Sequence, residues 1–131
     1  MIEQLMEVYL AQTNFPHLSI ERAEEYFRYL INKGNILTYE KEGRLIGFIE
    51  FWRINYEQVG RAVLGIPIYV MDEDISTGKV CYVSDLWVRP EERKGNLVLK
   101  MKKDLEEINK GCLFFIGKRV KDNKISKFRR G

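Results

Sequence analysis

The segment from Val80 to Gly117 limits the fold more than any other part of the chain. "VCYVSDLWV" (80–88) is rich in β-branched and aromatic residues and reads as a strand, and "CLFFIG" (112–117) reads as another. Between them lie a charged turn, "RPEERKGN", and a stretch with Leu97, Val98, Met101, Leu105 and Ile108 apolar at helical spacing, with Gly111 as its expected stop. One helix between two strands brings the chain back parallel to its start, by a right-handed crossover. The rest of the sheet has to accommodate that parallel pair.

Antiparallel pairs come from upstream. "NILTYEKEGRLIGFIEFWRI" holds two β-rich runs around Lys41-Glu42-Gly43, a hairpin signal, and its second run is nearly continuous in apolar residues, as a central strand requires. Two helices precede it. In "MIEQLMEVYL" the residues Ile2, Leu5, Met6, Tyr9 and Leu10 form one stripe, broken at Asn14-Phe15-Pro16. Ser19 then fits an N-cap for a helix with Ile20, Ala23, Phe27, Leu30 and Ile31 on its apolar face and Gly34 as its stop. Within 55–79, "YEQVGRAVLG" suits a short helix, "IPIYVM" a strand and "DEDISTGK" a turn. Residues 118–131 form a basic C-terminal tail open to helix. The expectation is one α+β domain over 1–131, with a mixed, mostly antiparallel central sheet flanked by helices.

Composition narrows the function classes. With 131 residues, 45% hydrophobic and 31% charged, the chain suits a single globular core and not a disordered one. No apolar run approaches the length of a membrane span, and the acidic N-terminus is unlike a secretory signal, so a cytoplasmic location is expected. Cys81 and Cys112 sit in apolar runs and read as buried free thiols; with His17 the only histidine, a metal site is not expected. Charge is unevenly spread. Residues 1–88 hold eight Lys/Arg against thirteen Asp/Glu, and residues 89–131 hold fourteen against six. A solvated basic face accounts for that, and so does an anionic partner on the C-terminal side.

Together with the order of elements, "SDLWVRPEERKG" leading into a helix resembles the GNAT superfamily of acyl-CoA-dependent N-acyltransferases. Leu86, Val88, Pro90 and Arg93 match the strand end and the opening of that family's phosphate-binding turn, and the family's last strand and helix would be abbreviated here. The resemblance implies acetyl-CoA, or another acyl-CoA, as cofactor. Leu86, Trp87 and Val88 would then serve the pantetheine arm. Arg93, Lys94, Gly95, Asn96, Leu97 and Val98 would hold the diphosphate, because the first amides of a helix lack intrahelical acceptors and carry partial positive charge. Two family glycines are replaced. Asn96 stands at the first and Val98 at the second, with Gly95 one place early; Asn tolerates a left-handed turn, whereas Val brings a β-branched side chain to the phosphates.

Acyl transfer to an amine needs a base for the ammonium proton, a donor to the thioester oxygen and an acid for the thiolate. Asp85 and Glu50 are the candidate carboxylates and Tyr82 a candidate donor. Asp85 is equally readable as a strand-end charge, Glu50 as an outward residue and Tyr82 as a packed aromatic. The family's tyrosine acid has no counterpart, since no tyrosine follows Tyr82; Phe128 in "NKISKFRRG" falls near that place. Phe51, Trp52, Tyr56, Tyr69, Tyr82 and Trp87 suit a substrate groove or the core, and Asp72, Glu73 and Asp74 an attraction for a cationic amine or a solvated turn. The acceptor would be a small-molecule amine or a protein lysine. The alternative is a catalytically silent GNAT-like module whose basic half contacts nucleic acid or an acidic protein. A homodimer is a further expectation.

Overall fold

The computed structural model describes residues 1–11, 19–63, 78–119 and 124–129. "IPIYVM", the acidic turn at 72–74, Tyr69 and His17 lie outside the described residues. Two helices come first, α1 (Ile2–Ala11) and α2 (Ile20–Lys33). Ser19 caps α2 as its sequence suggests, its hydroxyl accepting from the Arg22 amide at 3.2 Å, and Gly34 ends it in the left-handed region at φ 71°.

The hairpin follows as β1 (Ile36–Lys41) and β2 (Arg44–Ile54), turned by Glu42 and Gly43, both at positive φ (53° and 75°). That is the backbone a two-residue type I′ turn needs. A short helix α3 (Tyr56–Val63) comes next, then β3 (Val80–Val88), a single 3₁₀ turn at Pro90–Glu92, α4 (Leu97–Ile108), β4 (Phe114–Arg119) and β5 (Lys124–Arg129).

The five strands lie in chain order, β1-β2-β3-β4-β5. β3 and β4 are the parallel pair that the crossover required, and each other neighbouring pair is antiparallel. Two expectations need correcting. The basic tail contributes a strand, β5, paired along β4, instead of a helix. The helix that begins at Leu97 ends at Asn109, whose amide bonds Leu105 O at 3.0 Å, so Gly111 follows the cap.

Each sheet face carries its own core. On one, α1 and α2 pack Leu5, Ala23, Phe27 and Leu30 against Leu45, Phe48, Trp52, Ile54 and Val80. On the other, Met101 and Leu105 of α4 meet Ile49, Phe51, Cys81, Val88 and Phe115. Both cysteines are buried and free. Val98 and Ile108, placed by spacing on the apolar stripe of α4, are 44% and 45% exposed; only its centre is fully covered.

Candidate active site

β3 and β4 part company within the sheet. Their pairing runs from Val80↔Phe114 to Val83↔Gly117, and beyond it β3 continues to Val88 along β2 while β4 continues to Arg119 along β5. A wedge therefore opens between two strands that are neighbours below it. The bond from the Arg89 amide to Ile46 O (2.7 Å) fixes the alternation of the β2–β3 ladder. By that alternation the backbone groups of Asp85 and Trp87 face β2, and those of Leu86 and Val88 face the wedge. Arg93 reaches back across the mouth, its Nε donating to Val88 O at 2.9 Å.

At the mouth the chain turns into α4. Glu92, Arg93 and Gly95 spend their amides on the turn's own carbonyls, and Lys100 begins the helical ladder by bonding Asn96 O. Among the described residues the amides of Lys94, Asn96, Leu97, Val98 and Leu99 have no acceptor. Asn96 is the N-cap at φ −94°, with no side-chain capping bond, and Gly95 is not at positive φ either. The turn is thus made by a 3₁₀ segment ahead of the helix, and the left-handed residue expected at Asn96 is absent. Val98 is half-exposed and so does not plug a closed gap.

The apex of the wedge holds the titratable groups. The register of β2 against β3 shifts from Glu50↔Asp85 to Phe51↔Val83, which leaves Ser84 as a bulge one residue beyond the last β3–β4 rung, Val83↔Gly117. Its hydroxyl donates to Glu50 Oε2 at 2.8 Å and lies 3.3 Å from the Glu50 carbonyl. From α2, Tyr26 brings its hydroxyl beside the Glu50 carboxylate and Trp52. Burial and then the facing charge of Asp85 raise the Glu50 pKa to about 7 against the opposing pull of its two hydroxyl donors, Ser84 and Tyr26. Burial, followed by the charge of Glu50, pushes the Tyr26 hydroxyl well above its ordinary range and raises that of Tyr82 as well.

The three candidates drawn from the sequence thus converge. Glu50 and Asp85 are cross-strand partners, and Tyr82 follows along β3 opposite Trp52. Glu50 does not face outward: it is 6% exposed, on the face covered by α2. Phe51 and Trp52 are core residues, Tyr82 and Trp87 pack at the edge of the α2-side core, and Tyr56 is exposed, so these aromatics line no common groove. The sequence reading missed Tyr26 and Ser84. Tyr26 follows Ala23 by three and precedes Leu30 by four, which is signal enough to place it on the inner face of α2. Ser84 gave none, because a bulge depends on the partner strand.

Comparison with known proteins bears on the fold and the family. The sequence profile of the Acetyltransferase (GNAT) family matches residues 2–126. No curated protein matches the chain. Among solved structures, the loading GNATL domain of CurA from Lyngbya majuscula superposes with TM-score 0.61 at 17% identity, over 88% of this chain and 58% of that one. The GNAT-like decarboxylase GphF, in complex with isobutyryl-CoA, gives 0.61 at 16% identity, over 88% and 60%. Diaminobutyrate acetyltransferase EctA from Paenibacillus lautus, in complex with L-2,4-diaminobutyric acid and coenzyme A, gives 0.58 at 15%, over 90% and 59%. The chain spans less than two thirds of each of these structures, and at such identities the likeness is one of fold. With the profile covering nearly its whole length, the chain belongs to the GNAT acetyltransferase family.

Proposed function

We propose that the protein is an acyl-CoA-dependent N-acyltransferase, with acetyl-CoA its first candidate donor, acting on a primary amine. One observation carries the reading: a wedge in the sheet that runs from a buried carboxylate at its apex to a row of unbonded helix-start amides at its mouth. EctA and GphF bind CoA species on the same fold, which supports it.

The residues divide the work along the wedge. At the mouth, the free amides of Lys94 and Asn96–Leu99 supply the donors and partial positive charge that a diphosphate takes up, with the Lys94 ammonium adding charge. Arg93, bonded to Val88 O, holds the turn to the strand end. The outward backbone groups of Leu86 and the Val88 amide are free to pair with an amide-bearing arm, as an added strand would. A bound acyl-CoA would supply a thioester, activated at its carbonyl carbon toward an amine.

At the apex, once the cationic acceptor has given up a proton to free its lone pair, one proton must leave the amine nitrogen and one must reach the departing sulfur. Glu50, with a pKa near neutrality, is poised to take the first at its carboxylate. Ser84 holds that carboxylate in place by its hydrogen bond, with the Tyr26 hydroxyl beside it. Tyr82, kept protonated by burial, can deliver the second. Asp85, facing Glu50 and half-buried, attracts the cationic acceptor and keeps the Glu50 pKa high.

Calorimetric titration with acetyl-CoA tests the reading, with micromolar binding expected, followed by thiol release on adding an amine. Absence of binding at millimolar acetyl-CoA would end it.

A further inference from the structure

A second concavity lies on the α1 side of the sheet. It has a volume of about 360 Å³ and is lined by Gln4, Glu7, Val8, Arg44, Trp87 and Arg89, with Ala11 at its rim. None of these residues takes part in the chemistry above. Arg89 is held rigidly: Nε donates to Leu45 O at 2.9 Å and the guanidinium lies 5.1 Å from the centre of the Trp87 ring, which itself stacks on Phe48. Gln4 closes the floor by accepting from the Leu45 amide at 2.7 Å and donating to Gly43 O at 3.3 Å.

Two cations are thereby gathered with no ion-pair partner among the described residues, in a cavity that the Glu7 carboxylate also lines. The terminal nitrogens of Arg89 and the guanidinium of Arg44 have no hydrogen-bond or ion-pair partner among the described residues, and neither does the Glu7 carboxylate across from them. A guanidinium fixed by its Nε presents its remaining N–H groups in the fork that suits a carboxylate or phosphate. The place of the cavity along the strand matters as much. Asp85, Trp87 and Arg89 follow one another at every second residue, so the cavity and the Glu50–Asp85 pair share a row on one face. Four residues of strand separate Asp85 from Arg89, about 13 Å between Cα atoms, which the side chains shorten to the reach of a short aliphatic molecule.

We propose that this cavity is the recognition site for the acceptor, and that it selects an amine carrying an anionic group, a carboxylate or a phosphate, at its far end. The anion is held by Arg89 and Arg44 while the amine lies at Glu50. The proposal rests on the transferase reading and adds the substrate class to it.

Acetyl transfer to 6-aminohexanoate and to hexylamine separates charge from shape, and O-phosphoethanolamine against ethanolamine repeats the comparison with a phosphate. The anionic amines are expected to show KM values about tenfold or more below the neutral ones. Arg44→Gln should erase that advantage while hexylamine turnover stays as in the wild type. Arg89→Lys, which keeps the charge and loses the fork, should raise KM for 6-aminohexanoate as well. The Arg44 side chain is exposed and has no partner among the described residues, so its variant is expected to unfold at the wild-type temperature. Equal KM values for charged and neutral amines would overturn the proposal and leave the transferase reading intact. So would an Arg44→Gln loss of affinity for CoA that is absent with dephospho-CoA, since the arginines would then serve a cofactor phosphate. Failure of the wild type to bind acetyl-CoA would remove the transferase reading, and this proposal with it.

Discussion

Glu50 shows how far a single residue can be read from its neighbours in sequence. A carboxylate between Ile49 and Phe51 in a central strand is conspicuous, yet sequence alone leaves open which face it takes. Its burial is met from two other elements, by Ser84 of β3, whose hydroxyl donates to it, and by the Tyr26 hydroxyl of α2 beside it. The shift from 4.5 to about 7 has a definite thermodynamic sign. Between those values the folded protein holds a proton that the unfolded chain has released, so stability falls as pH rises through the window and levels off above it. The cost is at most about 3 kcal/mol. Glu50→Gln removes the titration. Urea unfolding is expected to show a wild type weakening from about pH 5 to pH 7, a flat Gln variant, and a crossing that leaves the variant more stable by about 1–3 kcal/mol at pH 8. Parallel curves would mean that Glu50 titrates normally. The same variant should lose about a hundredfold in kcat, and the wild-type kcat/KM should rise with pH through about 7 as Glu50 becomes a base.

At the scale of elements, legibility followed locality. Helix α2 was fixed at both ends by Ser19 and Gly34, and the hairpin by Glu42-Gly43, because each signal acts within a few residues of its own backbone. β5 was missed for the complementary reason. "KISKFR" carries basic residues that suit a tail equally well, and only its pairing with β4 makes it a strand. Two glycines separate these kinds of information. Gly34 needs its left-handed φ and has open space around it, so Gly34→Ala is expected to cost about 1 kcal/mol and leave acetyl-CoA affinity unchanged. Gly47 has ordinary φ, but a Cβ there would stand 3.0 Å from Trp87 O, 3.1 Å from Leu97 Cδ2 and 3.3 Å from Met101 Cε. It lets β2 lie close under the start of α4. Gly47→Ala is expected to cost about 1–3 kcal/mol and to weaken acetyl-CoA binding by moving the amides of the turn. Denaturation midpoints and calorimetry on the two variants, side by side, check the contrast.

At the scale of the whole molecule, the wedge is a consequence of topology. β3 is antiparallel to β2 and parallel to β4, β4 leans toward β5, and the sheet parts where Val83 leaves Gly117. The order of elements foretold the parallel pair; the point of parting was hidden because it is set by the Ser84 bulge and by β5, neither of which the sequence announces. Charge accords with that layout, since the basic excess begins at Arg89, beside the mouth. If the wedge receives the cofactor, binding should act on a defined set of amides. Hydrogen exchange with and without saturating acetyl-CoA is expected to slow Lys94, Asn96–Leu99, Leu86 and Val88. The antiparallel β1–β2 ladder, already bonded, should change only through global stabilisation, about 2.7 kcal/mol at a hundred times Kd. Uniform slowing of the whole sheet, with no excess at these seven amides, would place the ligand elsewhere. Slowing at the α4 start alone would mean that the diphosphate binds while the pantetheine arm does not enter between the strands.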